Sequence, residues 1–148
     1  MGLLLLADGR VDPNIANQDG SRALICAAVN GDASVVKLLL ADERVDPNMT
    51  DKTGSTVLVL ASHYGHDSVV TLLLADGRVD PNIGNQCGST ALTLAAYKGH
   101  ASVVTLLLAD ERLDPNIADQ GGNTALTCAA PNRHGPVVKL LLADDAAF

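Results

Sequence analysis

The chain has 148 residues, a formal charge of -7 and only 2% aromatic side chains, namely Tyr64, Tyr97 and Phe148, with no Trp. That charge argues against a general attraction to phosphate backbones, so no nucleic-acid partner is expected. No apolar run approaches the roughly 20 residues that cross a bilayer, so no membrane partner is expected either.

The opening run, Leu3 to Ala7, is too short for a signal peptide and no basic residue precedes it. Gly2 follows Met1, but Leu6 stands where an acylation motif wants Ser or Thr. Residues 3–7 instead match Lys37–Ala41, so residues 1–16 read as a partial unit. It ends in Asp12-Pro13-Asn14, a tripeptide that returns at Asp46-Pro47-Asn48, Asp80-Pro81-Asn82 and Asp114-Pro115-Asn116, each 34 residues after the last. A fixed period of this length marks one supersecondary unit repeated along the chain. The units are then 17–50, 51–84, 85–118 and a truncated 119–148, and the two central ones agree at 22 of 34 positions. A core of Leu, Val and Ala suits thin layers that each touch only their neighbours.

Two short helices are predicted per unit. The first runs over Ser55–Ser62, Ser89–Ala96 and Asn123–Ala130, with small residues that let a neighbouring helix approach closely. The second runs over Ser34–Ala41, Ser68–Ala75 and Ser102–Ala109. Gly31, Gly65 and Gly99 lie between them, where left-handed backbone ends the first helix. Asp-Pro-Asn then stops the second, because proline pushes its preceding residue out of helical space. Neither helix is long enough to persist alone in water, so adjacent units must cover their apolar faces. The fold class expected is an all-α solenoid of stacked helix-turn-helix units joined by β-turn or hairpin-like loops.

Tetratricopeptide repeats share this period, but their aromatic and Gly-Tyr landmarks are missing. The motif Asp51-x-x-Gly54-x-Thr56-x-Leu58-x-x-Ala61, followed by Gly65-His66 and Val69–Leu74, resembles the ankyrin repeat. The same landmarks return at Asn85, Gly88, Thr90, Leu92, Ala95, Gly99, His100 and Val103–Leu108. The resemblance covers nearly the whole chain. Ankyrin units usually have about 33 residues; the extra residue here falls near Asp-Glu-Arg-Val-Asp-Pro-Asn. The family's Thr-Pro-Leu-His signature reads Thr56-Val57-Leu58-Val59 and Thr90-Ala91-Leu92-Thr93, without its proline and histidine. A less rigid turn network is therefore expected, with apolar packing carrying more of the stability. In the fourth unit Arg133 replaces the inter-helix glycine between Pro131 and Pro136, so fraying or an altered loop is expected there. Pro136 is tolerable only in the first turn of its helix.

Candidate chemistry is sparse. The acidic ladder Asp42, Asp76, Asp110 with Asp46, Asp80, Asp114 invites a metal reading. However, packed helices lie roughly 8–10 Å apart, and calcium needs oxygens at about 2.3–2.6 Å. These acids therefore read as solvated turn residues, some of them near Arg44, Arg78 and Arg112. His66, His100 and His134 recur at one position, which marks a structural turn role, whereas His63 occupies a variable one. Cys26 and Cys128 share a column with Leu60 and Leu94 and read as small core residues. Cys87 alone sits in a turn, exposed and open to modification. The odd cysteine count without metal spacing points to a reduced intracellular setting, expected to be cytoplasmic. No phosphate loop or nucleophile elbow appears. No catalytic, cofactor-binding or metal residue is assigned, and no enzyme activity is expected.

Residues that recur build the unit, so function should lie where units disagree. The divergent columns are the turn before the first helix, with Lys52-Thr53 and Gln86-Cys87, and the end of that helix, with His63-Tyr64 and Tyr97-Lys98. By resemblance to ankyrin proteins, these line a concave face that binds a protein partner. Tyrosine combines contact area with a polar tip and is enriched at hot spots. Lys52, Thr53, His63, Tyr64, Gln86, Cys87, Tyr97 and Lys98 are the candidate partner-binding residues. The alternatives are a scaffold segment of a longer array, including end-to-end self-association through uncapped terminal units, and a recognition arm of a larger signalling protein or enzyme.

Overall fold

A computed structural model describes residues 23–146. The partial unit 1–16, the expected helical turn at Leu3–Ala7 and Phe148 lie outside the described residues. Helices follow in pairs: α1 (Ala23–Val29) and α2 (Ala33–Leu40), α3 (Val57–His63) and α4 (Asp67–Ala75), α5 (Ala91–Lys98) and α6 (Ala101–Leu108), α7 (Ala125–Ala129) and α8 (Gly135–Ala146). The odd-numbered helices pack on one another in an inner row and the even-numbered ones in an outer row, so each unit touches its neighbours. Among the described residues the one β-type pairing is an isolated bridge between Thr50 and Thr56.

The helices begin where their caps allow. Thr56 accepts a bond from the Val59 amide, and Thr90 from the Thr93 amide. The Thr93 hydroxyl in turn accepts from the Thr90 amide at 2.8 Å, a reciprocal cap that satisfies two free donors. Thr93 stands where the expected histidine is missing, so the turn in this unit is tied down by a different residue. Between the rows, Leu58, Leu73, Leu92 and Leu107, with Val36, Val69, Val70, Val103 and Val104, are almost completely buried. Small Ala28, Ala61, Ala95 and Ala96 let the inner row close up, each with no exposed surface.

Three ladders of polar bonds cross from unit to unit. On the inter-helix loops, the His66, His100 and His134 Nε2 atoms bond the Val29, His63 and Tyr97 carbonyls at 2.8, 3.0 and 2.8 Å. A carbonyl only accepts, so each Nε2 carries the proton. Each ring lies over the glycine of the preceding unit: a Cβ on Gly99 would sit 2.5 Å from His134 Nδ1. At the turn tips, the Gln86 amide donates to the Thr53 carbonyl and its side chain to the Lys52 carbonyl. Gln120 repeats this on Cys87 and Gln86.

The third ladder revises the acids and the Asp-Pro-Asn segment. Asp42, Asp76 and Asp110 are not simply solvated: their side chains are 16%, 15% and 12% exposed, each bound by the arginine two residues on. Arg78 also donates to the Leu40 and Val45 carbonyls of the preceding unit, and Arg112 to those of Leu74 and Val79. Leu40 ends α2 and Leu74 lies in the last turn of α4, so each arginine caps a carbonyl its helix leaves free. Asn48 donates from Nδ2 to the Arg78 carbonyl and accepts from the Asp80 amide, and Asn82 does the same with Arg112 and Asp114. The tripeptide therefore stops a helix and also clamps the next unit.

The fourth unit keeps the left-handed step of its loop. Arg133 adopts φ 60, the left-handed conformation that Gly31, Gly65 and Gly99 take at 71, 72 and 77. Its amide bonds Ala130 as the Gly99 amide bonds Ala96, and His134 still reaches Tyr97. The left-handed position is thus kept, but the expected alteration is found just before it. The helix ends at Ala129, where the third unit's continues to the equivalent of Asn132, and the Asn132 side chain donates to the Cys128 carbonyl. Pro136 is the second residue of α8, inside its first turn.

Candidate functional site

The inner row and the turns before it form the face on which the divergent columns fall. Each turn is built around one carboxamide or carboxylate. Asp51 Oδ1 accepts the Thr53 and Ser55 amides, Asn85 Oδ1 those of Cys87 and Ser89, and Asp119 Oδ1 those of Gly121 and Asn123. Gly54, Gly88 and Gly122 then turn the chain through positive φ values of 77, 79 and 81. The next turn passes close by: a Cβ on Gly88 would come within 3.1 Å of the Asp119 backbone. The tips are thereby fixed in register along the face.

Lys52, Thr53, Gln86 and Cys87 are exposed at these tips. Two of the four spend their polar groups internally. Thr53 Oγ1 donates to Asp51 at 2.6 Å and lies 2.8 Å from Ser55 Oγ, while Gln86 Nε2 serves the tip ladder. The Lys52 ammonium and the Cys87 thiol are uncommitted.

At the end of the inner helices, Tyr64 and Tyr97 are 50% and 52% exposed. Lys98 is exposed too, and His63 is half-buried. The His63 and Tyr64 rings meet edge to face with centroids 4.8 Å apart, and Tyr64 lies nearly parallel to His66 at 6.3 Å. Burial, then the positive charges of Lys98 and His100, hold the His63 imidazole below its ordinary pKa of 6.5, so it favours the neutral form. Its Nδ1 is buried without a hydrogen-bond partner. His63, Tyr64, His66, Lys98 and His100 thus form one aromatic and basic cluster.

Tyr97 is not part of that cluster. It lines a cleft with Ser89, Thr93, Leu94, Asp119 and Cys128, between the third and fourth units. Ser89, Asp119 and Cys128 were not among the residues expected from the sequence, because each looked like a repeated turn or core position. The signal was present in the columns: Cys128 replaces Leu60 and Leu94, and Asp119 follows Asn85. Burial and then the Asp119 charge push the Cys128 thiol above its ordinary pKa, which keeps it protonated and unreactive.

Among the described residues no three His, Cys, Asp or Glu side chains gather as a metal site. None of the described helices is long and apolar enough to cross a membrane. No characterised protein matches the chain closely enough to count as a relative. A family model does match: Ankyrin repeats (3 copies), over residues 2–83 and 72–148. It accounts for the paired helices, the glycine-histidine loops and the stacked turns together. The chain belongs to the ankyrin-repeat family, whose repeats generally serve as protein–protein interaction modules and are typically not enzymes.

Proposed function

We propose that the inner face binds a protein partner through the turn tips and the ends of the inner helices. The observation that carries this is the half exposure of both tyrosines, Tyr64 and Tyr97, on a face whose other large side chains are mostly packed away. A large ring left in water costs free energy that a partner recovers by covering it. Lys52, Cys87 and Lys98 add uncommitted polar groups around them. Thr53 and Gln86 contribute mainly by holding the tips in place, and His63 by supporting Tyr64. A cytoplasmic location suits Cys26, Cys87 and Cys128, none of which forms a disulfide.

The test is affinity capture from the source cell with the intact protein and with Tyr64→Ala/Tyr97→Ala, whose folding is checked by circular dichroism. Loss of specific partners in the double variant is expected. Identical capture by both proteins rules the reading out.

A second reading has its own observation. Leu142 is 50% exposed, whereas Leu40, Leu74 and Leu108 of the same column are partly buried against the core. A second copy stacking on α8 would cover it. Concentration-dependent light scattering should then rise, and the increase should vanish in Leu142→Glu; a monomer at all concentrations removes this reading.

A further inference from the structure

The cleft beside Tyr97 has a chemistry that no neighbouring gap repeats. Ser89, Thr93, Leu94, Tyr97, Asp119 and Cys128 line an open cleft of about 220 Å³. At about 30 Å³ per liquid water, that is room for a side chain rather than for one solvent molecule. One gap earlier the same positions are Ser55, Val59, Leu60, His63, Asn85 and Leu94. Four changes separate the two gaps; one, Val59 to Thr93, adds a hydroxyl that Thr90 holds, and the other three shape the cleft. The leucine column shortens to Cys128, which opens the space. Asn85 gives way to Asp119, which places a carboxylate in it. His63 gives way to Tyr97, which walls it with a larger ring.

The polar atoms converge as acceptors. Asp119 Oδ1 takes the Gly121 and Asn123 amides, both at 2.9 Å, and Oδ2 takes none. The Ser89 and Tyr97 hydroxyls are also uncommitted, while Thr93 Oγ1 is held by Thr90. No lysine or arginine lines the cleft. Lys98, the next residue, lies close enough to His63 to depress its pKa, on the side of the second unit. A free carboxylate oxygen, an aromatic wall and no resident cation match a planar cation. A guanidinium stacks on an aromatic face and donates in a fork to a carboxylate, which an ammonium does less well. The charge of -7 also draws a basic segment toward the protein.

We propose that this cleft is a socket for an arginine side chain from a basic segment of the partner, stacked on Tyr97 and bonded to Asp119 Oδ2. The proposal rests on the reading of the inner face as the partner surface.

Two variants test it without disturbing the fold, because each imports a residue the chain already uses at that position. Asp119→Asn copies Asn85, whose Oδ1 makes the same turn bonds to Cys87 and Ser89 at 2.9 and 3.0 Å. Cys128→Leu copies Leu94 and fills the space. The probe is a capped Ala-Ala-Arg-Ala-Ala pentapeptide, with its citrulline counterpart as a neutral control, titrated into isotope-labelled protein and followed by amide shifts. Saturable shifts confined to Ser89, Tyr97, Asp119, Cys128 and their neighbours are expected. Citrulline and Asp119→Asn should each weaken binding by about tenfold, and Cys128→Leu should abolish it. Equal binding of the citrulline peptide, undiminished binding to Cys128→Leu, or shifts at the acidic outer loops instead would overturn the socket. A captured partner that is lost with Tyr64→Ala but kept by both Asp119→Asn and Cys128→Leu leaves the inner face standing and removes the socket alone.

Discussion

In the third unit, α5 runs from a reciprocal threonine cap at Thr90 to a left-handed glycine at Gly99. In the fourth, α7 has 5 residues against 8, Thr124 makes no side-chain cap bond, and the left-handed position is held by Arg133. The fourth unit still bonds the third through His134 to Tyr97 and Gln120 to Gln86, but the arginine clamp is not repeated, because Ala146 stands where Arg78 and Arg112 do. The histidine and glutamine ladders are kept, while the arginine clamp is lost and the order within the last unit is relaxed. In an array whose stability is a sum of unit and interface terms, that places the weakest layer at the fourth unit. The cleft beside Tyr97 lies between these two units, so the proposed socket falls beside the most loosely ordered layer.

The largest expected contrast is in the core. Leu107→Ala, at a fully buried position of α6, should destabilise by about 2–5 kcal/mol. Leu141→Ala, 6% exposed in α8, should fall at or below the low end of that range. Equal losses in denaturant titrations would mean that the two units are equally ordered. Next come the loop positions. Gly99→Ala combines φ 77 with a close approach to His134 and should cost more than about 1 kcal/mol. Arg133→Gly should do the opposite, raising stability by about 1 kcal/mol as a left-handed side-chain residue is relieved. Thermal melts that move in the same direction for both would break the comparison.

A smaller effect belongs to the arginine clamp. Arg112→Ala should cost about 1 kcal/mol near neutral pH, discounted because the guanidinium is partly exposed. Asp42, Asp76 and Asp110 are all held below the ordinary carboxylate value of 3.8 by their arginines, Asp42 at about 2. Because the folded value is the lower one, this stability is fully present above about pH 4 and is lost as pH falls toward 2. The deficit of Arg112→Ala should therefore shrink over that window, and a deficit independent of pH would exclude the ion pair as its source. Smallest is Ser62→Ala. The Ser62 hydroxyl is buried without a partner where the other units carry Ala28, Ala96 and Ala130, so removing it should stabilise by about 0.5–1 kcal/mol. A loss in denaturant midpoint would mean that the hydroxyl has a partner after all.

The period and the apolar columns made the stack of paired helices legible. Boundaries moved by a residue or two: the first helix of the second unit starts at Val57 rather than Ser55, because Thr56 is its cap. What stayed hidden was the second half of each bond. Asp-Pro-Asn, Arg78 and Arg112 recur, so the sequence marks them as structural, but recurrence says nothing about which residue about one unit away they hold. The left-handed Arg133 was hidden for a related reason: its conformation is imposed by the His134–Tyr97 bond and the turn around it, against its own preference. For the proposed site, Tyr64 and Tyr97 stood out as the only tyrosines. Their separation into two different environments did not, because that depends on a cavity made by Cys128 in the next unit.

Apart from the asparagine bonds, which run forward, the cross-unit side-chain bonds have one direction. Histidine, arginine and glutamine of one unit donate to carbonyls of the unit before it, so every junction has a donor side and an acceptor side, and the two central units carry both. Such a unit is an interchangeable cassette. A duplicate of residues 85–118 inserted after Ala118 would meet complementary groups above and below, and the array could lengthen from its middle without any new contact having to evolve.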